Sequence, residues 1–362
     1  MSKLEELIQE LCPYGVEYKK LEDVLTIKNG RDYKQFGEGN IPVYGSGGVM
    51  TYIDTAVYDK PSVLIPRKGS LDKLYYVDVP FWNVDTIFYT DINTELVLPK
   101  YVYYWLQGQH LERLNKAGGV PSLTQSVLNK VDIFVPPLPV QHEIVRILDN
   151  FTELTAELTA ELTARKKQYE YYTKELFNLN DSVKILKLAE IADIGTGSSN
   201  TNEAVESGLY PFFVRSQEPL KKNQYEYDET AIITAGDGVG VGKVFHYVEG
   251  KYALHQRAYR IHINTTAVLP KYYFYYMKST FLEYIKKAMF HGSVSSIRRP
   301  MLNEYPVPVP PIEEQQRIVS ILDRFDTLCN DLTRGLPAEI EARQKQYEYY
   351  RDKLLTFNKL EG

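Results

Sequence analysis

The feature that most constrains this chain is an internal repeat. The segment VPPLPVQHEIVRILDNF (135–151) matches VPPIEEQQRIVSILDRF (309–325) at a constant offset of 174, with 10 identities in 17 positions. ARKKQYEYY (164–172) matches ARQKQYEYY (342–350) at an offset of 178, with 8 of 9 positions identical. The pentapeptide VLPKY also occurs once ahead of each copy. A repeated sequence predicts a repeated structural unit, so we expect two copies of one plan, a variable globular unit followed by a helix.

Both repeated segments predict long amphipathic helices. Apolar residues recur every three or four positions, a spacing that places them along one stripe of a helix. The stripe comprises Phe151, Leu154, Leu158, Leu162, Tyr169 and Tyr172 in the first copy, and Phe325, Leu328, Leu332, Tyr347 and Tyr350 in the second. A helix of about 35 residues, roughly 50 Å long, cannot leave such a stripe in water. The two copies are therefore predicted to pack as an antiparallel coiled coil, with a kink or break at Gly335 and Pro337.

The regions between the helices predict mixed α and β structure. Short runs such as SVLIP, TIFYT and AIITA are separated by Gly, Pro and Asp, which is typical of strands joined by turns. A short helix is expected after each VLPKY, over 99–113 and 270–287. The predicted fold class is α+β, with two pseudo-repeated mixed α/β domains separated by the two long helices. The predicted boundaries are 1–136 and 184–308 for the domains, and 137–183 and 309–362 for the helices.

The composition excludes several classes of protein. The chain has 362 residues, of which 44% are hydrophobic and 25% charged, as expected of a globular protein. It lacks the run of about 18 apolar residues that a membrane helix needs, and its charged amino-terminal segment does not predict a secretory leader. Cys12 and Cys329 are too far apart in sequence for a familiar zinc motif or a disulfide framework. We therefore expect a cytoplasmic protein.

The charge pattern argues against binding of naked nucleic acid by charge alone. The formal net charge is −5 at pH 7. Of the four predicted segments only 184–308 is basic, at +3, whereas the other three carry −3, −3 and −2 in chain order. Any nucleic-acid contact therefore needs local clusters of basic residues or a more basic partner.

No arrangement of residues predicts a reaction. The stretch TAGDGVGVGKVF (234–245) departs from a phosphate-binding loop, because Asp237 stands where the first Gly is required and Val244 follows the lysine. The favoured interpretation is a glycine-rich turn between strands, and a nucleotide-binding enzyme is a distant alternative. The histidines have no metal-binding spacing such as H-x-x-x-H. We therefore assign no catalytic and no metal-binding residue from the sequence.

Polar and basic residues nevertheless cluster in the predicted loops of both domains. Arg, Lys, Gln and Asn are the side chains that hold phosphates and read base edges. The candidates are Lys28, Arg31, Lys34, Arg67, Lys68, Ser122 and Gln125 in the first domain, and Arg215, Gln217, Lys221, Lys222, Lys243, His255, Gln256, Arg257, Ser295, Ser296, Arg298 and Arg299 in the second. Any single one is more often solvated surface, but their density in the loops of both domains predicts a DNA-facing surface.

The doubled motif resembles the specificity (S) subunit of type I restriction–modification enzymes. The resemblance lies in Pro-Pro followed by QxxIVxILDxF, a heptad-like helix and QYEYY, occurring twice with variable domains between. It implies a non-catalytic subunit whose two target recognition domains each read one half of a bipartite, asymmetric site in double-stranded DNA. It also implies that the helices and domains dock two methyltransferase subunits, which nuclease–translocase subunits join. S-adenosylmethionine, ATP and Mg²⁺ would then belong to those partners, with no cofactor in this chain. The alternative function is a two-domain structural adaptor that binds protein and no DNA.

A short repeat inside the first helix predicts that the length of this helix sets a distance on the DNA, a role that we call a ruler. TAEL occurs twice in succession over 155–162, which is either simply a good helical sequence or a spacing device. Four residues lengthen a helix by about 6 Å and turn it by about 40°. One base pair of DNA advances about 3.4 Å and turns about 35°. Because the two rotations nearly match, we expect the first helix to set the gap between the half-sites.

Overall fold

The chain folds into two compact units. The computed structural model describes residues 2–115, 121–180, 182–288 and 296–360. Unit 1 comprises Met1–Thr159 and Glu339–Gly362, and unit 2 comprises Ala160–Ala338. Each unit therefore contains one globular domain together with parts of both helical repeats. Across the described ranges, no helix is both long and apolar enough to cross a membrane.

Unit 1 contains mainly short strands. One long helix begins in this unit and only its first part belongs to it. Its strands are β1 (Glu17–Lys20), β2 (Leu25–Asn29), β3 (Glu38–Gly45), β4 (Gly48–Ile53), β5 (Ser62–Pro66), β6 (Tyr75–Val77), β7 (Trp82–Asn83), β8 (Ile87–Ile92) and β9 (Asp132–Val135). Its helices are α1 (Lys3–Leu11), α2 (Leu21–Val24), α3 (Pro99–Gln107), α4 (Gln125–Leu128), the first part of α5 (Leu138–Leu176) and most of α10 (Leu336–Leu354). α3 is shorter than the predicted 99–113, because Gly108, a poor helix former, follows Gln107 and a separate 3₁₀ turn begins at Leu111.

Unit 2 repeats the plan, with two longer strands at the centre of its sheet. Its strands are β10 (Lys184–Lys187), β11 (Ala192–Thr196), β12 (Tyr210–Phe213), β13 (Leu220–Lys222), β14 (Tyr227–Ala235), β15 (Phe245–Leu254), β16 (Ala258–Ile263) and β17 (Pro306–Val309). Its helices are α6 (Leu188–Ile191), α7 (Pro270–Ala288), α8 (Arg299–Asn303), α9 (Ile312–Asn330) and the second part of α5, and α10 (Leu336–Leu354) begins at its end. A 3₁₀ turn spans Thr201–Glu203.

The two units share one strand order. The sheet of unit 2 runs β11-β16-β14-β15-β12-β13, and unit 1 has β2-β8-β5-β6 in one sheet and β4-β3-β7 in another. β12 pairs in parallel with the end of β15, just as β3 pairs in parallel with β7. Pro80 lies between β6 and β7, at the place where unit 2 has the uninterrupted β15. Because proline has no N–H to donate to a strand ladder, the single sheet of unit 2 is split into two in unit 1.

The two helical repeats pair within each unit, which confirms the predicted fold class. In unit 1 the ring of Phe151 stacks on Tyr350 with 5.4 Å between the ring centroids. In unit 2 Tyr169 stacks on Phe325 at 5.8 Å. Lys166 lies one turn before Tyr169 and within electrostatic range of Cys329, which lies one turn after Phe325. α5 and α9 therefore run in opposite directions, as predicted.

The two repeats differ in continuity. α5 is one helix of 39 residues, whereas the second repeat is divided into α9 and α10, with 19 residues each. Pro337 occupies the first turn of α10, where its missing N–H costs no hydrogen bond. A Cβ atom on Gly335 would lie 2.4 Å from the carbonyl oxygen of Thr327, so only glycine fits at this position in the turn between α9 and α10. The predicted break is present and begins already at Asp331, which places Leu332 off the stripe and 73% exposed.

The rest of the predicted stripe varies in burial. Tyr347 is buried, and Leu154, Leu158, Leu162 and Leu328 are half-buried. Tyr172 and Tyr350 remain 46% and 40% exposed, although both stack on a phenylalanine. The four half-buried leucines of the stripe are therefore less exposed to solvent than Tyr172 and Tyr350.

A buried glutamine ties each long helix to its domain. The Gln141 Oε1 atom accepts a hydrogen bond from the Leu98 N–H at 2.8 Å. Its Nε2 donates to the carbonyl oxygens of Leu96 at 2.8 Å and Pro136 at 2.7 Å. Gln315 makes the equivalent three bonds in unit 2, at 2.8 to 2.9 Å. Because both amides are fully buried and fully paired, they fix where the helix starts relative to the domain.

An aspartate two turns later repeats this connection. Asp149 accepts hydrogen bonds from Lys100 at 2.7 Å and from the Tyr104 hydroxyl at 2.6 Å. The equivalent group in unit 2 is Asp323 with Lys271 at 3.0 Å and Tyr275 at 2.6 Å. The lysine and the tyrosine both come from the helix that begins in VLPKY. The two repeated motifs of the sequence therefore bind each other, and this joint holds each domain on its helix.

Candidate nucleic-acid interface

Several loops of unit 2 meet at one edge of its sheet. They follow the ends of β11, β12, β14 and β15. Strand pairing holds them side by side, because Thr196 pairs with Tyr259 and Phe213 pairs with Leu254. We call this surface the loop edge of unit 2 and define it as residues 196–200, 214–218, 236–240, 255–257 and 296–299. It brings together several residues that the sequence predicted only as separate loop residues.

Two arginines of the loop edge share one carboxylate. Arg215 Nη1 lies 2.7 Å from Asp237 Oδ1, and Arg257 Nη1 lies 3.3 Å from Asp237 Oδ2. Burial opposes ionisation of this carboxyl, but the hydrogen bonds and charges of the two arginines outweigh it and lower the pKa of Asp237. The arginine side chains remain 41% and 60% exposed, against 27% for the aspartate. We call this group the arginine fork, which presents guanidinium groups to solvent around a covered carboxylate.

His255 supports the fork from below. Its side chain is buried, and its Nδ1 accepts a hydrogen bond from the backbone N–H of Arg257 at 3.0 Å. Burial, reinforced by the charge of Arg215, lowers the pKa of His255, so the ring is neutral at pH 7 and free to accept. The sequence predicted His255 as a DNA-facing residue, and the structure places it beneath the surface, where it positions Arg257.

A groove of about 260 Å³ opens beside the fork. Its lining includes the polar side chains of Thr196, Gln256, Tyr259 and Ser296 together with Arg257. Gln256 Nε2 donates to Asn200 Oδ1 at 2.5 Å, which leaves the Gln256 carbonyl oxygen as an acceptor. Hydrogen-bond donors and acceptors in a groove of this size can recognise the edge of a planar polar group.

The other candidates of unit 2 are more scattered. The Lys222 side chain is only 14% exposed, and its Nζ donates to Ser199 and to Glu203, both at 2.6 Å. Its charge is therefore used inside the unit. Gln217 lines a separate cavity with His246, and burial lowers the pKa of that histidine. The remaining candidates are exposed: Lys221, Lys243, Arg298 and Arg299. Ser295 lies outside the described residues.

Unit 1 has a matching loop edge, which we define as residues 30–34, 67–70, 84–86 and 121–123. Lys68 forms a backbone bridge with Ser122, and in unit 2 Asp237 forms the same bridge with Ser296. The glycine after each of these residues has the same left-handed backbone, with φ of +83° in unit 1 and +79° in unit 2. The two edges therefore share this bridge and the glycine after it, and the side chains at the bridging position have opposite charge.

The charged side chains of the unit 1 edge are more exposed and less closely paired than those of the arginine fork. Lys68 Nζ lies 3.5 Å from Asp85, and the two side chains are 46% and 63% exposed. Such an exposed pair contributes little to stability, so the lysine charge stays available. Arg67 extends over the ring of Phe88, with 5.8 Å from its guanidinium carbon to the ring centroid. Arg31 and Lys34 are exposed on the neighbouring loop.

Two candidates of unit 1 already have partners within the domain. Lys28 pairs with Asp91 at 2.9 Å, and the same carboxylate accepts a hydrogen bond from Tyr58. The hydrogen bonds of Lys28 and Tyr58 lower the pKa of Asp91 and so strengthen this local network. Gln125 Nε2 donates to the carbonyl oxygen of Ile27 at 2.9 Å. Both candidates therefore lie near the loop edge, but their polar groups are already partnered.

Sequence reasoning missed the residues that organise the site. Asp237 was considered only as a departure from a nucleotide-binding pattern, yet it is the centre of the arginine fork. Its position directly after a buried strand, flanked by two glycines, was the available signal. Gln141 and Asp149 were overlooked although both recur at the constant offset of 174 as Gln315 and Asp323. Within the described ranges, no group of three or more His, Cys, Asp or Glu residues is arranged to hold a metal ion.

Known proteins match this chain over most of its length. The family model "Type I restriction modification DNA specificity domain" matches twice, at residues 13–165 and 180–342. A protein of Haemophilus influenzae named as a type I restriction enzyme specificity subunit is 31% identical, covering 95% of this chain and 96% of its own length. The specificity subunit of the type I restriction enzyme EcoR124I/EcoR124II from Escherichia coli is 38% identical, covering 75% of this chain and 74% of that protein.

Solved structures agree with the fold. The S subunit of the type I restriction–modification system of M. genitalium aligns with a TM-score of 0.68 and 17% identity, covering 94% of this chain and 96% of that one. A chain from a study of the assembly of a type I system aligns with a TM-score of 0.61 and 14% identity, covering 94% of this chain and 97% of that one. The duplicated specificity domain, together with relatives that match almost end to end, shows that this chain belongs to the family of type I restriction–modification specificity subunits.

Proposed function

We propose that the two loop edges read the two halves of a bipartite, asymmetric DNA site, one unit for each half. The observation that carries this proposal is the pair of matching backbone frames with different side chains. Equivalent positions with identical side chains would be expected to read identical half-sites. Lys68 and Asp237 occupy equivalent positions and have opposite charge, so we expect the two half-sites to differ.

We further propose that the chain itself catalyses no reaction and docks two methyltransferase subunits, which nuclease–translocase subunits join in the cytoplasm. S-adenosylmethionine, ATP and Mg²⁺ are then bound by those partners. Two equivalent pairs of exposed tyrosines support the proposal that two methyltransferase subunits bind. Tyr171 and Tyr172 are 61% and 46% exposed in unit 2, and Tyr349 and Tyr350 are 62% and 40% exposed in unit 1. Tyrosine is enriched at protein interfaces, and two copies of one surface suit two copies of one partner.

The DNA-reading proposal is tested by exchanging one domain. The full chain is co-expressed with its methyltransferase, and the methylated positions of the host genome are sequenced. Residues 184–308 are then replaced by the matching segment of a related chain. We expect one half of the methylated motif to change and the other to stay the same. A change in both halves would contradict independent reading by the two units.

The partner proposal is tested by mass measurement of the purified complex. Tyr171→Ala and Tyr349→Ala each remove one exposed ring and keep the neighbouring tyrosine, which stacks on a phenylalanine of the other helix. Each variant is expected to lose one methyltransferase subunit, and the double variant both. Methyl transfer by the isolated chain would contradict its non-catalytic role. A complex that assembles normally but binds scrambled and methylated-motif duplexes equally well would favour the adaptor function instead.

A further inference from the structure

The arginine fork has an arrangement that suits bases better than phosphates. A carboxylate at the centre of a DNA-facing surface repels the phosphate backbone, so a site built only for phosphate would exclude it. Asp237 instead uses its negative charge to hold two guanidinium groups at the same time. Its pairing leaves a net charge of only one positive unit on the three residues. The group is therefore poorly suited to counterion release and well suited to directional hydrogen bonding.

Each arginine keeps donors available after pairing with the aspartate. Both ion pairs use the Nη1 atom, and a guanidinium has five N–H donors in a planar fork. Within the described part of the chain, the other guanidinium N–H groups of Arg215 and Arg257 have no protein acceptor. Because the side chains are held before DNA arrives, less conformational entropy is lost on binding. The fork is thus preorganised, and its two arginine side chains remain 41% and 60% exposed.

The planar donor pattern matches one base in particular. Guanine presents two acceptors, N7 and O6, on its major-groove edge, and arginine bonded to both is the commonest specific contact of a protein with DNA. Adenine offers one acceptor and one donor on the same edge, so it cannot satisfy two guanidinium N–H groups. The adjacent groove, with Gln256 and Ser296, offers further polar groups to the neighbouring base.

We propose that Arg215 and Arg257, positioned by Asp237, read guanine in the half-site that unit 2 recognises. This inference rests on the proposed DNA-reading function and specifies its chemistry. Arg215 and Arg257 are the contacting residues, and Asp237 is a positioning residue. At the equivalent position of unit 1 there is no fork, because Lys68 is a single point charge beside Asp85. The prediction of guanine therefore applies to unit 2 alone.

The first test uses the methyltransferase complex of the full chain. Arg215→Lys and Arg257→Lys keep the charge but remove the planar fork, and Arg324→Lys is the matched control on an exposed part of α9. The half-site of unit 2 is assigned by the exchange of 184–308. Each fork variant should lose discrimination at a guanine of that half by about 10- to 100-fold. Binding to scrambled DNA and its salt dependence should stay unchanged, as should all properties of the control.

Asp237→Asn distinguishes positioning from simple charge. The amide has nearly the same shape but no charge with which to hold both guanidinium groups. Discrimination at the guanine should fall, whereas binding to scrambled DNA should stay equal or become tighter because a negative charge is lost. A fall in both kinds of binding together would mean that Asp237 only supports the fold, and it would overturn the positioning role.

A second probe changes the DNA instead of the protein. Replacing the guanine by 7-deazaguanine removes the N7 acceptor and keeps base pairing. Wild-type binding should weaken by about tenfold, and the fork variant should show no further loss on the same duplex. Additive losses would overturn the proposed contact. A unit 2 half-site without guanine, or fork variants that keep the full motif, would overturn the inference while DNA reading stands. A wild-type complex without any sequence preference would instead overturn the proposed function.

Discussion

The loop edges of the two units show how one backbone frame carries two chemistries. In both, a strand ends in a bridge to the serine loop and turns at a left-handed glycine. In unit 1 the bridging residue is Lys68, an exposed cation with a weak partner. In unit 2 it is Asp237, which holds two arginines. The difference teaches that equivalent backbone positions can carry different chemistry, because Lys68 presents a point charge whereas Asp237 forms the fork together with Arg215 and Arg257.

The two helical repeats also differ from each other, in their continuity. The first is a continuous rod, and the second is interrupted between Asn330 and Leu336. A rod transmits length and rotation from one end to the other, whereas a break absorbs them. We therefore expect the two repeats to respond differently to the same insertion.

Insertion of one TAEL after Leu162 should change the recognised site most. The insertion extends α5 by about 6 Å and rotates it by about 40°. Both half-sites should be kept, and the unspecified gap between them should grow by one base pair. Methylome sequencing measures this directly. The same four residues inserted after Thr333, in the break, should leave the gap as it is. An unchanged gap with full activity after the first insertion would contradict the ruler.

Loss of the buried glutamines should destabilise both units equally. Gln141→Ala leaves three backbone groups without their side-chain partner, one of them fully buried, and Gln315→Ala does the same in unit 2. We expect about 3 kcal/mol of lost stability in each case. Thermal unfolding of the full chain provides the measurement, and Gln344→Ala on the exposed face of α10 is the control. A clear difference between the two variants would show that the two joints are not equivalent.

Removal of the Lys68 charge at the unit 1 edge should weaken binding of cognate and scrambled DNA to the same extent. Lys68→Ala removes a cation whose partner Asp85 is itself exposed. Affinity should fall by a few-fold for cognate and scrambled DNA alike, and the salt slope should decrease by about one. The methylated motif should stay the same. Binding titrations at several salt concentrations check this, and loss of a single base preference would mean that Lys68 reads bases.

Acid should destabilise unit 1 more than unit 2. Glu143 is buried at 4% exposure, and hydrogen bonds from Arg146 and Lys3 outweigh burial and lower the pKa of Glu143. A lowered folded-state pKa contributes stability above the unfolded value near pH 4.3, which is lost as the pH falls through the folded value. Glu143→Gln should cost about 1 kcal/mol at pH 7, and this difference from wild type should shrink as the pH falls below about 4.3.

Melting temperatures between pH 7 and pH 2 show this convergence of wild type and variant. Glu314→Gln is the matched control in unit 2, where a similar pair with Arg317 is more exposed and therefore weaker. An E143Q variant that stays equally destabilised at acid pH would mean that packing, and not charge, explains the loss.

The elements with local causes were predictable from the sequence. SVLIP forms β5 at the predicted residues, and VLPKY starts a helix in both units. The break near Gly335 follows from glycine and proline, whose effects on the backbone act within a few residues. The split of the unit 1 sheet at Pro80 was not predicted, because it shows only when β6 and β7 are compared with the longer β15.

The candidate site was predictable in composition but not in organisation. Arg215, Gln256 and Arg257 were predicted from their residue types to face DNA, and the structure brings them together at one edge. That His255 lies underneath, and that Lys222 is already paired, depends on which strands are neighbours. Asp237 had no basic or amide side chain to attract notice, so its role needed the positions of both arginines.

The sequence by itself determined that this protein is a duplication, with long helices, a break in the second and a family membership carried by QxxIVxILDxF. Those properties are encoded in residues close together along the chain, in periodicity and in repetition. The tertiary structure alone decided that Asp237 joins Arg215 and Arg257, residues 22 and 20 positions away, and that Lys68 stands at the equivalent place in the other unit. Contacts between loops depend on strand order and register, and these are set by packing of the whole domain rather than by any local pattern.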